Sequence, residues 1–368
     1  MSQRAISQFL VIAVLAAVAV TIVIITQANL ERLGVHSGID FLWKRAGFEV
    51  SQSLIPFDSN STFGRAFVVA LLNTIALALV SIVMSTALGA MIGISRLSSN
   101  WLLAKLATAY VEVFRNIPSL LQIFFWYFVV LRSLPGSHDS LQFFNHAFLN
   151  NRGLFLPFPV SGGAVLICSL LLGIILLALV RRGSASGNPL RNWSHLVIGT
   201  TLLVFAVAAA AITQWEVPVL RRFSYEGGLV LMPEFLALTI GLSMYHATYI
   251  SEIVRSGFGS LPISQIEGAD ALGLSRLQSL RLVLFPQALR AIIPPLTTVY
   301  LNLFKGTSLA AAIAYPEVIS VFVGTVNNLV GQPVIIMGMT LIVYAFISLC
   351  IALAMNWYNQ RIALSVST

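Results

Sequence analysis

The chain has 368 residues, 58% hydrophobic and only 9% charged, with a mean hydropathy of +0.90. A soluble domain carries about 25% charged residues, so this composition excludes a soluble enzyme and demands lipid as solvent. The net charge of +8 is no sign of nucleic-acid binding, because the Lys and Arg residues are scattered through loops and form no patch.

Eight apolar runs are predicted to be membrane-spanning helices, each near the roughly 20 residues a helix needs to cross the hydrocarbon core. The first covers 6–26. Arg4 before it also fits a signal peptide, but the run is long and Thr26-Gln27-Ala28 is a poor cleavage site, which favours a retained anchor. A polar loop over 27–65 follows. The second span is 66–94, and the third, 101–131, is interrupted by Arg115-Asn116-Ile117-Pro118. A loop rich in Asn, His and Pro is expected over 132–158. Spans four and five, 160–180 and 194–214, are joined by Arg181-Arg182-Gly183-Ser184-Ala185-Ser186-Gly187. The sixth is 233–254, the seventh 292–314 and the eighth 333–357, with a polar segment, 255–290, between the sixth and seventh. Cys168 and Cys350 both fall inside apolar runs, so they are expected to be buried thiols, with no disulfide and no metal site.

An inside N-terminus places eleven Lys and Arg on the cytoplasmic face against eight outside. This predicts that both termini and the 255–290 segment are cytoplasmic. Within that segment Pro262 suits the first turn of a short helix. Ala269, Ala271 and Leu272 would give it a small apolar face for a groove on another protein, and Gly273 would permit the turn that ends it. Ser275, Arg276 and Gln278 open a second helix running into Pro286. No Gly-x-x-x-x-Gly-Lys-Ser/Thr occurs in the chain, so no phosphate-cradling loop is present to bind ATP.

Glu267-Gly268-Ala269, three residues, Gly273, nine residues, then Val283-Leu284-Phe285-Pro286 resembles the cytoplasmic motif of ABC-importer permeases, with Gly268, Val283 and Phe285 in place of Ala, Ile and Leu. Arg115-Asn116-Ile117-Pro118-Ser119-Leu120-Leu121-Gln122 resembles a segment of polar amino-acid permeases. So do Tyr249–Gly257, Pro286-Gln287-Ala288-Leu289-Arg290, Pro294-Pro295-Leu296 and Lys305-Gly306-Thr307-Ser308-Leu309. The inserted pair of spans resembles the enlarged branch that handles L-amino acids broadly.

The resemblance implies an all-α, polytopic bundle of about eight transmembrane helices: a five-helix permease core, an extra N-terminal helix and an inserted helix pair. The expected parts are an anchor with a periplasmic loop (1–65), the first part of the core (66–131), an inserted loop and helix pair (132–232), and the second part of the core with its coupling loop 255–290 (233–368). It implies a bacterial inner-membrane protein that is not itself an enzyme and has no cofactor of its own. ATP and Mg would be held by a dimer of a separate ATP-binding subunit. Further implied partners are a second permease, with a heterodimer favoured, a periplasmic solute-binding protein and an amino-acid substrate.

Coupling to the ATPase is expected at Glu267, Gly268, Ala269, Asp270, Gly273 and Pro286. Polar residues inside spans are the candidates for the substrate path: Arg115, Asn116, Gln122, Asn302, Lys305, Thr307 and Ser308. For Arg115, pairing with Glu112 stays open, and for Lys305 pairing with Glu252. Thr307 and Ser308 can equally bond their own helix. Glu252 is expected to pair with Arg255, and His246 to be a packed, hydrogen-bonded residue. An ion-coupled secondary transporter of small polar solutes is the alternative, and it would require paired broken helices in two related halves.

Overall fold

The computed structural model describes residues 38–143, 146–161 and 214–364, with scattered residues between 10 and 32. The predicted spans 160–180 and 194–214, apart from residues 160, 161 and 214, lie outside the described residues, as do their basic connection, Cys168 and much of span 6–26. The chain forms two compact units, Met1–Phe124 with Leu238–Thr368, and Phe125–Ala237.

In the first unit, helix α1 (Phe63–Ser95) starts at Thr62, whose hydroxyl accepts the Arg65 amide at 3.2 Å, a helix N-cap. The loop before it folds back on its first turns. Phe41, Ala46, Phe63, Ala66 and Ala70 join Val318, Val321, Phe322, Val326 and Ile336 in one buried cluster.

Helix α2 (Trp101–Asn116) is capped by Asn100, which accepts from the Leu102 and Leu103 amides. It stops where the proline ring of Pro118 drives Ile117 to φ −93° and ψ 125°. The chain bends by 102° there and resumes as α3 (Ser119–Phe124), continued by a π-helix over Phe125–Leu131. The break expected in the third span is therefore a real corner.

Helix α4 (Pro233–Gly259) is followed by the short helices α5 (Ile263–Ala271) and α6 (Arg276–Ser279), and by a π turn over Leu280–Leu284. Helix α7 (Phe285–Gly306) contains Pro294 and Pro295 and passes into a 3-10 segment, Thr307–Ile313. A π-helix (Ile319–Val326), α8 (Asn327–Val330) and α9 (Pro333–Leu364) complete the unit.

Small residues let α1 and α4 meet closely. Ser81, Ser85, Gly89 and Gly93 recur every four residues along α1, and all are buried. A β-carbon on Gly93 would fall 2.8 Å from the Val254 Cβ. The same two α4 residues that meet α1, Ile250 and Val254, also pack with Ala288, Ile292, Leu296 and Val299 of α7.

Among the described residues three helices are long and apolar enough to cross a membrane, Phe63–Ser95, Arg276–Ile313 and Pro333–Arg361. The bent pair Trp101–Asn116 and Ser119–Leu131 makes a fourth if taken as one span. The predicted sixth span is helical in α4 but falls short of that apolar content, because Tyr245, His246, Tyr249 and Glu252 lie along it. Cys350, expected to be buried, is exposed on α9.

The second unit corrects the all-α expectation. Strands β1 (Leu141–Phe143), β2 (Ala147–Asn150), β3 (Gly153–Leu156), β4 (Phe158–Ser161), β5 (Gln214–Glu216), β6 (Val219–Leu220), β7 (Tyr225–Glu226) and β8 (Leu229–Leu231) occupy stretches outside the predicted spans, except that β4 and β5 take in the ends of the runs 160–180 and 194–214. They form an antiparallel sheet in the order β1-β2-β3-β8 and two separate pairs, β4-β5 and β6-β7. Tyr225 stacks on Phe148 with ring centroids 4.3 Å apart and lies 5.3 Å from Phe155, giving the sheet its own small core. At the start of α4, Glu234 accepts from the Tyr127 hydroxyl at 2.7 Å, and its charge also complements the helix dipole.

Candidate functional site

Two features of the first unit have the makings of function, a helical elbow and a cavity with polar groups in its wall. The elbow is built locally. Pro262 is extended and precedes α5. Gly273, at φ +70°, ends the helix in the left-handed region that favours glycine. The Leu274 amide reaches back to the Ala269 carbonyl at 3.1 Å and the Gly273 amide to Asp270 at 2.9 Å, which satisfies the last carbonyls of α5. Ser275 then opens α6 with a capping box: its amide donates to Gln278 Oε1 at 2.9 Å, and its hydroxyl accepts the Gln278 amide at 3.4 Å. The elbow is tied to the span that follows by Gln287 Nε2, which donates to Gln265 Oε1 at 2.9 Å.

Glu267, Gly268, Asp270, Gly273 and Pro286 are all exposed on this elbow, whereas Ala269 is buried. The expectation that Ala269 faces a partner is corrected, since its methyl packs inside its own chain; Ala271 and Leu272 are exposed as expected, and Ile263 and Leu277 add to that apolar surface. Pro286 sits in the first turn of α7, directly after the π turn over Leu280–Leu284, and has no N–H to give to that preceding turn.

The cavity, about 690 Å³, lies between α4 and α7. Leu242, Tyr245, His246, Tyr249, Glu252 and Ile253 come from α4, spaced so that they share one face. Pro295, Thr298, Val299, Asn302 and Gly306 do the same on α7, and Ser119 is contributed by α3. The Tyr245 and Tyr249 hydroxyls are 2.9 Å apart. His246 Nδ1 is 2.9 Å from the Leu242 carbonyl. A carbonyl only accepts, so Nδ1 is the donor in this bond.

Glu252 closes one end of the cavity and is fully engaged. Its Oε2 takes Arg96 Nη1 at 2.5 Å, and its Oε1 takes the Arg255 guanidinium. The hydrogen bond from Arg255 to Glu252 holds the Arg255 guanidinium above its ordinary value. The local Glu–Arg pair is therefore present, and a second arginine 156 residues away joins it.

The predicted path residues do not all meet here. Asn302 lines the cavity. Arg115 and Asn116 are exposed at the end of α2, where Asn116 Nδ2 donates to the Glu112 carbonyl at 2.8 Å. Gln122 is buried and stitches the corner, donating to the Phe114 and Ile117 carbonyls at 2.7 and 3.0 Å. Lys305 is exposed. Thr307 and Ser308 donate to the Phe304 and Lys305 carbonyls of their own helix, at 2.7 and 2.8 Å. Sequence reasoning missed Tyr245, Tyr249 and Thr298. Their signal was helical spacing of polar residues within an apolar run.

Residues 85–364 match the family model described as "Binding-protein-dependent transport system inner membrane component". The chain is 48% identical over 349 residues to a putative amino-acid ABC transporter permease, YhdX, of Escherichia coli strain K12, covering 92% of this chain and 88% of that protein. It is 46% identical over 349 residues to the general L-amino acid transport system permease AapQ of Rhizobium johnstonii, covering 92% and 87%. It is 34% identical over 379 residues to the glutamate/glutamine/aspartate/asparagine transport system permease BztB of Rhodobacter capsulatus, covering 91% and 88%. With its long apolar helices and its tied-down elbow, the chain belongs to the family of inner-membrane components of binding-protein-dependent ABC transport systems.

Proposed function

We propose that this permease imports amino acids, driven by ATP hydrolysed on a separate ATP-binding subunit dimer, with a second permease and a periplasmic solute-binding protein completing the assembly. The observation that carries the reading is the elbow around Glu267–Gly273. It is short, capped at both helices and fastened to α7 through Gln265 and Gln287, so a push on its exposed acidic and apolar residues is delivered to α7 as a rigid displacement. In this reading both termini and the elbow are cytoplasmic. Closure of the ATPase dimer swings α4 and α7 and alternates the access of the cavity between the two sides.

The cavity is the proposed solute path. Its lining is mostly apolar with a few polar groups set into it and, apart from the paired Glu252, uncharged. Ser119, Thr298, Asn302 and His246 offer hydrogen bonds to the ammonium and carboxylate groups that all amino acids share. That suits a broad substrate range of the kind named for the Rhizobium relative. Arg115, Asn116, Lys305 and Ser308 remain candidates for the path beyond the cavity, and Gln122 and Thr307 act on it through the helix ends they hold.

The test is Glu267→Lys in the assembled transporter in proteoliposomes. Uptake and substrate-stimulated ATP hydrolysis should fall at least tenfold while membrane insertion stays normal. Wild-type uptake by the variant, or uptake by the permeases alone under an ion gradient without ATP, overturns the reading.

A further inference from the structure

Strands β4 and β5 pair antiparallel, with Ser161 opposite Gln214. The chain therefore leaves this pair and returns to it at one point, and the residues between the strands include all of the apolar runs 160–180 and 194–214 except their ends at 160, 161 and 214. If those runs span the membrane, the β4-β5 pair lies where they enter it.

The surface on and beside that pair exposes large apolar side chains among the polar Gln214, Glu216 and Glu226. Phe158 is 46% exposed and Val160, at the bulge, 65%. Two residues beyond β5 the β6-β7 hairpin begins, with Val219 55% exposed. Its tip, Arg221-Arg222-Phe223-Ser224, is closed by the Arg221 amide on the Ser224 carbonyl at 2.9 Å. Phe223 is 69% exposed, and the Arg222 guanidinium lies 5.5 Å over its ring. Arg221 reaches Glu226 at 3.6 Å, with both side chains mostly in solvent. Among the described residues Arg222 has no acidic partner. These exposed side chains are not left over from the sheet, whose core is already filled by Phe148, Phe155 and Tyr225.

We propose that this surface docks on the phospholipid interface of the leaflet in which the inserted spans begin. Phe158, Val160, Val219 and Phe223 enter the headgroup layer, and Arg222 binds a lipid phosphate. The chemistry fits that occupant: aromatic and aliphatic side chains settle at the depth of the headgroups, and basic residues near an anionic surface are drawn to it. The insertion would then be fastened to the bilayer by its strands as well as by its helices. This inference rests on the reading of 160–180 and 194–214 as spans.

The test uses the full chain in nanodiscs of phosphatidylcholine and phosphatidylglycerol, with Cys168→Ser and Cys350→Ser as background. A nitroxide is placed at Val160→Cys, Phe223→Cys or, as a control for the spans, Val204→Cys. Free nitroxide in buffer and a chain-labelled doxyl lipid give the two reference points. Collision with oxygen should exceed collision with a water-soluble nickel chelate several-fold at 160 and 223. Chelate access at those sites equal to that of free nitroxide, with 204 still in lipid, overturns the docking alone. Free chelate access at 204 overturns the span reading and the docking together. Protection that appears only when the second permease or the solute-binding protein is added identifies a protein contact and also overturns the proposal. Should labelling disturb folding, quenching by brominated lipid in the unlabelled protein gives a second readout, and Trp215→Phe should remove a measurable part of it.

Discussion

Gly89 of α1 stands directly against Ile250 of α4: a β-carbon on Gly89 would fall 2.6 Å from the Ile250 Cβ and 2.9 Å from the Ala247 carbonyl oxygen. Real Cβ atoms do not approach that closely, so these helices touch backbone to side chain at a depth that only glycine allows. Gly89→Val should destabilise the purified permease by about 1–3 kcal/mol, the usual range for overpacking. A lowered thermal unfolding midpoint in detergent checks this, and an unchanged midpoint would show that the helices are free to separate.

Gly268 presents the opposite case. No atom lies within 4 Å of where its β-carbon would be, and the residue is exposed in the middle of α5. Gly268→Ala should gain about 0.5–1 kcal/mol from helix propensity. Transport should be retained, because the added methyl obstructs nothing in this chain. Uptake assays alongside thermal unfolding separate the two effects, and lost uptake would mark Gly268 as a place where a partner comes close.

Glu317 is fully buried between Ala314 and the π-helix that begins at Ile319. Its carboxylate accepts the Ile319 amide at 2.8 Å, the Ser320 amide at 2.7 Å and the Tyr344 hydroxyl at 3.0 Å. The same corner is held from α1, where Asn73 Nδ2 donates to the Pro316 carbonyl at 2.9 Å and Thr74 Oγ1 accepts the Val318 amide at 3.2 Å. Glu317→Ala strands two backbone amides and a hydroxyl, and should lose about 3 kcal/mol. Glu317→Gln should recover part of this and Tyr344→Phe should lose about 1 kcal/mol. Denaturation of the three variants side by side tests the ranking.

Arg96 and Glu252 join α1 to α4 at one end of the cavity, with side-chain exposures of 12% and 36%. Partial solvation limits the pair, so a double-mutant cycle with Arg96→Ala and Glu252→Ala should give a coupling of about 1 kcal/mol. The coupling should shrink as salt is raised. A coupling of zero at low ionic strength would show the contact to be energetically silent.

Much of the elbow was legible in the sequence because its chemistry is local. Pro262, Gly273, the Ser275–Gln278 box and Pro286 each act within a few residues of themselves, and the spacing from Glu267 to Pro286 is retained in the folded elbow. The corner at Pro118 was legible for the same reason. The strands of the second unit were not, since segments of two to four residues are too short to display an alternating pattern. Pairs such as Leu154 with Leu231 join distant parts of the chain. Ala269 was misread because a short helix of small residues does not reveal which of its faces its own chain will cover.

The sequence by itself determined that the chain lives in lipid, where its helices break, and that a capped elbow hangs between two spans, because hydropathy, proline and capping all act at short range. Only the tertiary structure decided that Tyr245, His246 and Tyr249 would face Thr298 and Asn302 across a cavity, that Arg96 would find Glu252, and that the carboxylate of Glu317 would be sealed under Tyr344. Those outcomes depend on how closely helices far apart in sequence approach one another, and that distance is set by the small residues where they cross.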